Sequence, residues 1–273
     1  MRQRGTSGES SARFRIYDEL IDGIPPDLRI ERCVVGMHWI AIDTAGGLGL
    51  SMAPIEGERQ SPLAGTIAGR RVREVAQWAK SWNALEASIG VAAINAWHNR
   101  RASVEACFGP IDHLLSTTSV FSEIGPVVAG RKVTVIGHFP DLDQLDPICT
   151  LSILERKPLA GDYPDPACEY ILPEQEFVFM TGVTLINKTL PRLLELSRNA
   201  RVVLVGPSVP LSPVLFAHGV SLLAGTVVRD ATKVFNHIME GGDRSIFKNG
   251  ASTIRLERER ALSGQAQATA LGA

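Results

Sequence analysis

The sequence predicts an α/β protein in two parts, a small α+β domain followed by a domain built on a parallel sheet. Three observations carry this. Three β-like runs come early, at residues 29–36, 38–43 and 48–54, with a glycine turn among them. Five short runs rich in Val, Ile and Leu come later, separated by helical or loop segments, as parallel strands covered on both faces require. The length of 273 residues, with 45% hydrophobic and 21% charged residues, suits one large or two ordinary domains and excludes wholesale disorder.

Residues 1–11 are polar, contain Gly and Ser, and read as a loose tail. Phe14, Tyr17, Leu20 and Ile21 then fall at helical spacing, and Gly23-Ile24-Pro25-Pro26 ends that helix. The break at Thr44-Ala45-Gly46-Gly47 makes the three β-like runs an antiparallel meander. Val72, Val75, Ala76 and Ala79 form one apolar helical stripe. Asn83 is a cap for a second helix that runs to about Trp97, and the absence of charge over residues 87–97 predicts burial on most of its sides. This first domain covers residues 12–112.

In the second half the strands are residues 132–137, 151–155, 176–181, 201–206 and 221–224. Leu190, Leu193, Leu194 and Ser197 mark one face of an intervening helix. Ser212, Pro213 and Gly219 carry the start and stop signals of a short one. Ala231, Val234, Phe235 and Ile238 stripe the last, with Asp230 as cap and Gly241 as stop. The alternation predicts a Rossmann-type domain over residues 121–260, with residues 264–273 as a second loose tail. Residues 202–228 carry no Asp, Glu, Lys or Arg, a length that spans a bilayer. Pro207, Pro210 and Pro213 would break such a helix, so the stretch reads as strand, turn, short helix and strand in a core. Together with residues 87–97 it offers more apolar surface than one small domain buries. Tight docking of the two domains is therefore expected, and a homodimer with it.

The charge balance, 28 Lys and Arg against 29 Asp and Glu, supplies no electrostatic reason for a nucleic-acid or membrane-surface partner. Cys33, Cys107, Cys149 and Cys168 lie far apart with no CxxC pair, and residues 1–15 hold no apolar signal core. Reduced thiols in a cytoplasm are the expectation. No G-x-G-x-x-G, Walker A, G-x-S-x-G or H-E-x-x-H motif occurs.

Ligands of an open α/β sheet bind beyond the carboxyl ends of its strands. Those ends are Gly137-His138-Phe139-Pro140, Glu155-Arg156, Thr181-Gly182-Val183-Thr184, Gly206-Pro207-Ser208 and Gly225-Thr226. Parallel strands put all of them on one side. Gly137, His138, Phe139, Thr181, Gly182, Thr184, Asn187, Gly206, Pro207 and Ser208 are accordingly expected in one cleft facing the first domain. Asn95, an amide in an otherwise apolar helix, either completes that cleft or clamps backbone. Each residue also has a plainer reading. A glycine after a strand is usually a turn. Thr184, Asn187 and Thr189 suit helix caps. Glu155 would hold a ribose hydroxyl or pair with Arg156 or Lys157. The loop with Asp162, Asp165 and Cys168 would ligate metal or, with Pro164 and Pro166, form a rigid surface turn. His138, Glu155 and Asp162 are the metal candidates, since their nitrogen and oxygen donors suit many divalent or higher-valent ions.

Thr181-Gly182-x-Thr184-x-x-Asn187-x-Thr189-Leu190, Gly206-Pro207-Ser208-x-Pro210-Leu211 and His218-Gly219-Val220 with Gly225 resemble the heavy-metal chelation domain family, long called a domain of unknown function. Val35-Gly36 and Ala92-Ala93-Ile94-Asn95-Ala96 fit it in the first half. The resemblance covers nearly the whole chain, from about Phe14 to about Leu256. It implies a Rossmann-like domain preceded by a smaller domain similar in fold to the enolase amino-terminal domain. Enolase chemistry is not implied, because that needs a barrel with metal-binding carboxylates. The function expected is a small-ligand or metal-complex binding protein, a heavy-metal chelator by family, with its site between the domains and a metal ion of unknown identity. The alternative is an enzyme that uses a nucleoside-containing cofactor, S-adenosylmethionine or a nicotinamide nucleotide, at the same strand ends. A pure assembly module would leave the polar strand exits unexplained.

Overall fold

The computed structural model describes residues 9–57 and 63–259. Helix α1 (Glu9–Asp22) leads into an antiparallel meander of β1 (Ile30–Val35), β2 (Trp39–Thr44) and β3 (Gly47–Met52). The β2–β3 turn needs Gly46, whose φ is +88°. Every residue of β2 is buried, and its alternation serves two cores. Ile40 and Ile42 pack with α3 (Ala84–His98), while Trp39 and Ala41 pack with Val234, Phe235 and Ile238. Asn83 caps α3 by accepting from the Leu85 and Glu86 amides. All of α3 except Ala84, Glu86 and Trp97 is buried. Backbone touches backbone where β3 crosses it. A Cβ on Gly49 would lie 2.0 Å from the Ala96 nitrogen and 2.1 Å from the Ala92 oxygen.

The stripe at residues 72–79 is not one helix. It is a short α2 (Val72–Ala76) continued by a 3-10 turn at Gln77–Lys80. Glu9 to Ser11 belong to α1 rather than to a tail; the remainder of both expected tails lies outside the described residues. A further helix, α4 (Arg101–Phe108), follows α3.

The second sheet contains β4 (Leu115–Ser116), β5 (Lys132–Ile136), β6 (Thr150–Glu155), β7 (Tyr163–Pro164), β8 (Phe177–Thr181), β9 (Arg201–Val205), β10 (Val220–Val228) and β11 (Ala251–Glu257). Its order is β4-β11-β10-β9-β8-β5-β6-β7. All pairs from β10 to β7 are parallel, and β11 and β4 close one edge antiparallel. Read from β7 to β10, the order is the 3-2-1-4-5-6 of the doubly wound sheet, which reverses between β5 and β8. The five strands read from sequence are all present. The parallel sheet expected from sequence is present, and the antiparallel edge strand β11, whose inward Ser252, Ile254 and Leu256 alternate with Thr253 and Arg255, is added to it. The connecting helices are α5 (Phe121–Val128), α6 (Cys168–Ile171), α7 (Val183–Ile186), α8 (Leu190–Leu196), α9 (Val214–Ala217) and α10 (Ala231–Met239), the last capped by Asp230.

The two sheets are separate but share one apolar core. A single cluster joins α1 and α3 to Met180, Leu204 and Leu223 of the second sheet, and α10 covers the far face of the first. Polar bonds weld the same joint. Tyr17 donates to the Leu185 carbonyl at 2.8 Å. Asn99, 2% exposed, donates to the carbonyls of Val209 (2.9 Å) and Thr226 (3.2 Å) and accepts from the Leu211 amide (2.8 Å). No helix among the described residues is long and apolar enough to cross a membrane.

Candidate functional site

Beyond the carboxyl ends of β5, β8 and β9, and beside the middle of β10, lies a cavity of about 290 Å³. Three strand exits line it: His138-Phe139-Pro140-Asp141, Thr181-Gly182-Val183 and Val205-Gly206-Pro207-Ser208. Ala224-Gly225-Thr226 line it from within β10, which pairs with β11 as far as Val228, so the strand end expected at Gly225-Thr226 is corrected. Trp39 and Met52 of the first sheet close another wall, and the Met52 amide donates to Ser208 Oγ at 2.9 Å. The geometry follows from the topology. The reversal between β5 and β8 opens a crevice, and small residues keep it from filling. Gly206 takes a φ of +111°, a conformation that turns the chain sharply away from β9.

His138 reaches the cavity from the β5 exit. Its amide donates to Glu155 Oε2 at 3.1 Å, and its Nε2 lies 2.7 Å from Asp162 Oδ2. The Asp162 side chain is 5% exposed and also accepts from the Leu159 amide at 2.8 Å. Against a carboxylate, Nε2 is the donor, so the neutral ring keeps its lone pair on Nδ1. Asp162 thus orients a single nitrogen base or ligand. Glu155 is turned to main chain, with its other oxygen accepting from the Arg156 amide. Asp165 pairs with Arg156, and burial raises the Cys168 thiol, so that acidic loop reads as the rigid turn. Among the described residues no group of three or more His, Cys, Asp or Glu is gathered as a bare metal ion would need.

Of the residues expected from sequence, His138, Phe139, Thr181, Gly182, Gly206, Pro207 and Ser208 line the cavity. Gly137 lies behind the lining, where a Cβ would meet Thr181. Thr184, Asn187 and Asn95 are outside it. The Thr184 hydroxyl donates to the Thr181 carbonyl, and Asn187 Oδ1 accepts from the Thr189 amide and hydroxyl, so both are satisfied by bonds to neighbours in the chain, without capping a helix. Asn95 clamps backbone, donating to the carbonyls of Leu50 (2.8 Å) and Pro207 (3.3 Å). The φ of Gly182 is negative, as a ligand-blocking substitution there requires. A Cβ would nonetheless strike the Ser208–Val209 backbone at 2.8 Å, so such a change also strains the fold.

Sequence reasoning missed Trp39, Met52, the segment 117–120, Arg244, Phe247 and Thr253 to Arg255 of β11. The alternation in β11 was the one signal available. Arg255 is held by Glu123 and the Ser119 carbonyl. Arg244 has no ion pair among the described residues. Burial first, and Arg244 next, pulls the His38 imidazole below its usual range.

Two family profiles match, at residues 17–98 and 120–257, and both carry the description "Putative heavy-metal chelation". A crystal structure of a DUF364-family protein of unknown function from Desulfitobacterium hafniense superposes with a TM-score of 0.83 at 40% identity, covering 90% of this chain and 99% of that one. A second, from Pyrococcus horikoshii, gives 0.73 at 22% identity with the same coverage and shows the fold alone. An uncharacterized protein of Methanocaldococcus jannaschii is 29% identical over 195 residues, 70% of this chain and 73% of that protein.

Proposed function

The chain belongs to the DUF364 heavy-metal chelation family, and on that premise we propose that it binds a small ligand or metal complex in the cleft between its two domains. One observation carries the reading. Three neighbouring strand exits, the middle of β10 and two residues of the first sheet surround one cavity at the reversal point of the sheet. Its volume suits a small organic molecule.

The donor set refines what the family name implies. His138 offers one nitrogen, Asp162 is committed to orienting it, and Glu155 is committed to amides. A bare ion needs more ligands than this. The residues therefore fit a metal that arrives inside an organic chelator, with His138 filling at most one position, and no step is routed through a bare ion. The alternative of a nucleoside-cofactor enzyme draws on strand order alone, and the turning of Glu155 toward main chain weakens it.

Native mass spectrometry with elemental analysis, on protein purified without chelator, tests this. The expected result is one equivalent of an organic molecule, with or without metal, lost when Val183→Trp fills the cavity. A stoichiometric bare ion that survives exchange into metal-free buffer would overturn it.

A further inference from the structure

The charges of the cavity lining are unbalanced, two arginines against the single carboxylate of Asp141, and this points to its ligand. Arg244 stands on the rim with no ion pair among the described residues. Ser208, 3% exposed, accepts from the Met52 amide, and its own proton meets no acceptor there. Thr226, also 3% exposed and on the wall, has a buried hydroxyl without a partner. An arginine without an ion pair in a cavity lining is a ready partner for an anion. Asp141 is exposed, and Arg255 is already paired with Glu123, which leaves Arg244, among the described residues, as the cation open to a ligand. Phe139 and Phe247 supply apolar walls.

We infer that the ligand is an organic oxyanion, a carboxylate or phosphate on an apolar body, with its charged end at Arg244 and its body against the two phenylalanines. The inference rests on the cavity being the binding site and goes beyond it by naming what enters. Arginine binds planar oxyanions with two parallel hydrogen bonds. Any metal then comes as the complex of such an anion.

Two fluorescent probes test this, 8-anilinonaphthalene-1-sulfonate and the neutral N-phenyl-1-naphthylamine, which share an apolar body and differ in charge. The anionic probe should bind one site with the higher affinity. Arg244→Met should weaken it on the order of tenfold to a hundredfold, with the neutral probe unchanged. Benzoate and phenyl phosphate should displace it, the stronger of the two identifying the preferred oxyanion. Indifference of the anionic probe to Arg244→Met, or displacement by neither anion, overturns the inference. Val183→Trp separates the two failures. If it abolishes binding while Arg244→Met does not, the cavity stands and the oxyanion falls. If binding survives it, the cavity reading falls as well. Should that variant not fold, hydrogen-exchange protection of residues 181–183 and 205–208 by the probe locates the site in the unaltered protein.

Discussion

Asn99 is the side chain that most directly fastens the two halves, and its removal has a calculable cost. Its amide donates to the Val209 and Thr226 carbonyls, and its oxygen accepts from the Leu211 amide, all buried. Asn99→Ala leaves three backbone groups without partners in a place water does not reach. At about 1–1.5 kcal/mol per bond, the loss is about 3–5 kcal/mol. That is a large part of the stability of an ordinary domain, roughly 5–15 kcal/mol. Asn95→Ala serves as the internal comparison. It breaks two bonds, one of them long at 3.3 Å, and its oxygen has no partner among the described residues. Its cost should be about 1–2 kcal/mol. Asn99→Asp should be at least as harmful as Asn99→Ala near neutral pH, because it sets a charge against two carbonyl oxygens. Urea unfolding followed by circular dichroism measures all three. A loss below about 1 kcal/mol for Asn99→Ala, or a larger loss for Asn95→Ala, would refute the assignment of Asn99 as the fastening residue.

Further outcomes follow from packing and charge. Gly49→Ala should cost about 3 kcal/mol or more, since its Cβ meets helix backbone, whereas Gly46→Ala should cost about 1 kcal/mol, from backbone strain in open space. Thermal melts of the two variants compare them. Tyr17→Phe should lose about 1–2 kcal/mol by stranding the Leu185 carbonyl, read from the urea midpoint. His98 is buried, donates to the Leu20 carbonyl, and is held below its usual range chiefly by burial. The unfolded chain then binds a proton that the folded one refuses. Stability should therefore fall as pH drops through about 6.5, by up to about 1.4 kcal/mol per pH unit. His38 acts in the same sense, so His98→Gln should flatten the slope measured between pH 7 and 5.5 without abolishing it.

Periodicity sufficed for what depends on neighbours in the chain. Alternation around the Gly46 turn is a local property, and so are the Asn83 and Asp230 caps and the Val/Ile/Leu runs of the parallel strands. Each survives folding because the side chains that encode it sit within one turn or one strand of each other. The strand exits were legible for the same reason, since parallel strands place their ends together whatever the details. The roles of individual exit residues were not. Thr184, Asn187 and Asn95 carry polar groups that serve a ligand or a nearby backbone atom equally well, and only the fold shows which carbonyls and amides they meet. Arg244 and Trp39 were invisible as site residues because nothing along the chain relates them to residue 182. They arrive there through α10 packed on the first sheet and the antiparallel return of β11, contacts made across some two hundred residues of chain. Sequence by itself determined the elements and the side of the sheet where the cavity opens. Tertiary packing decided the walls of that cavity and the charge they carry, because those depend on distances between segments that no local pattern encodes.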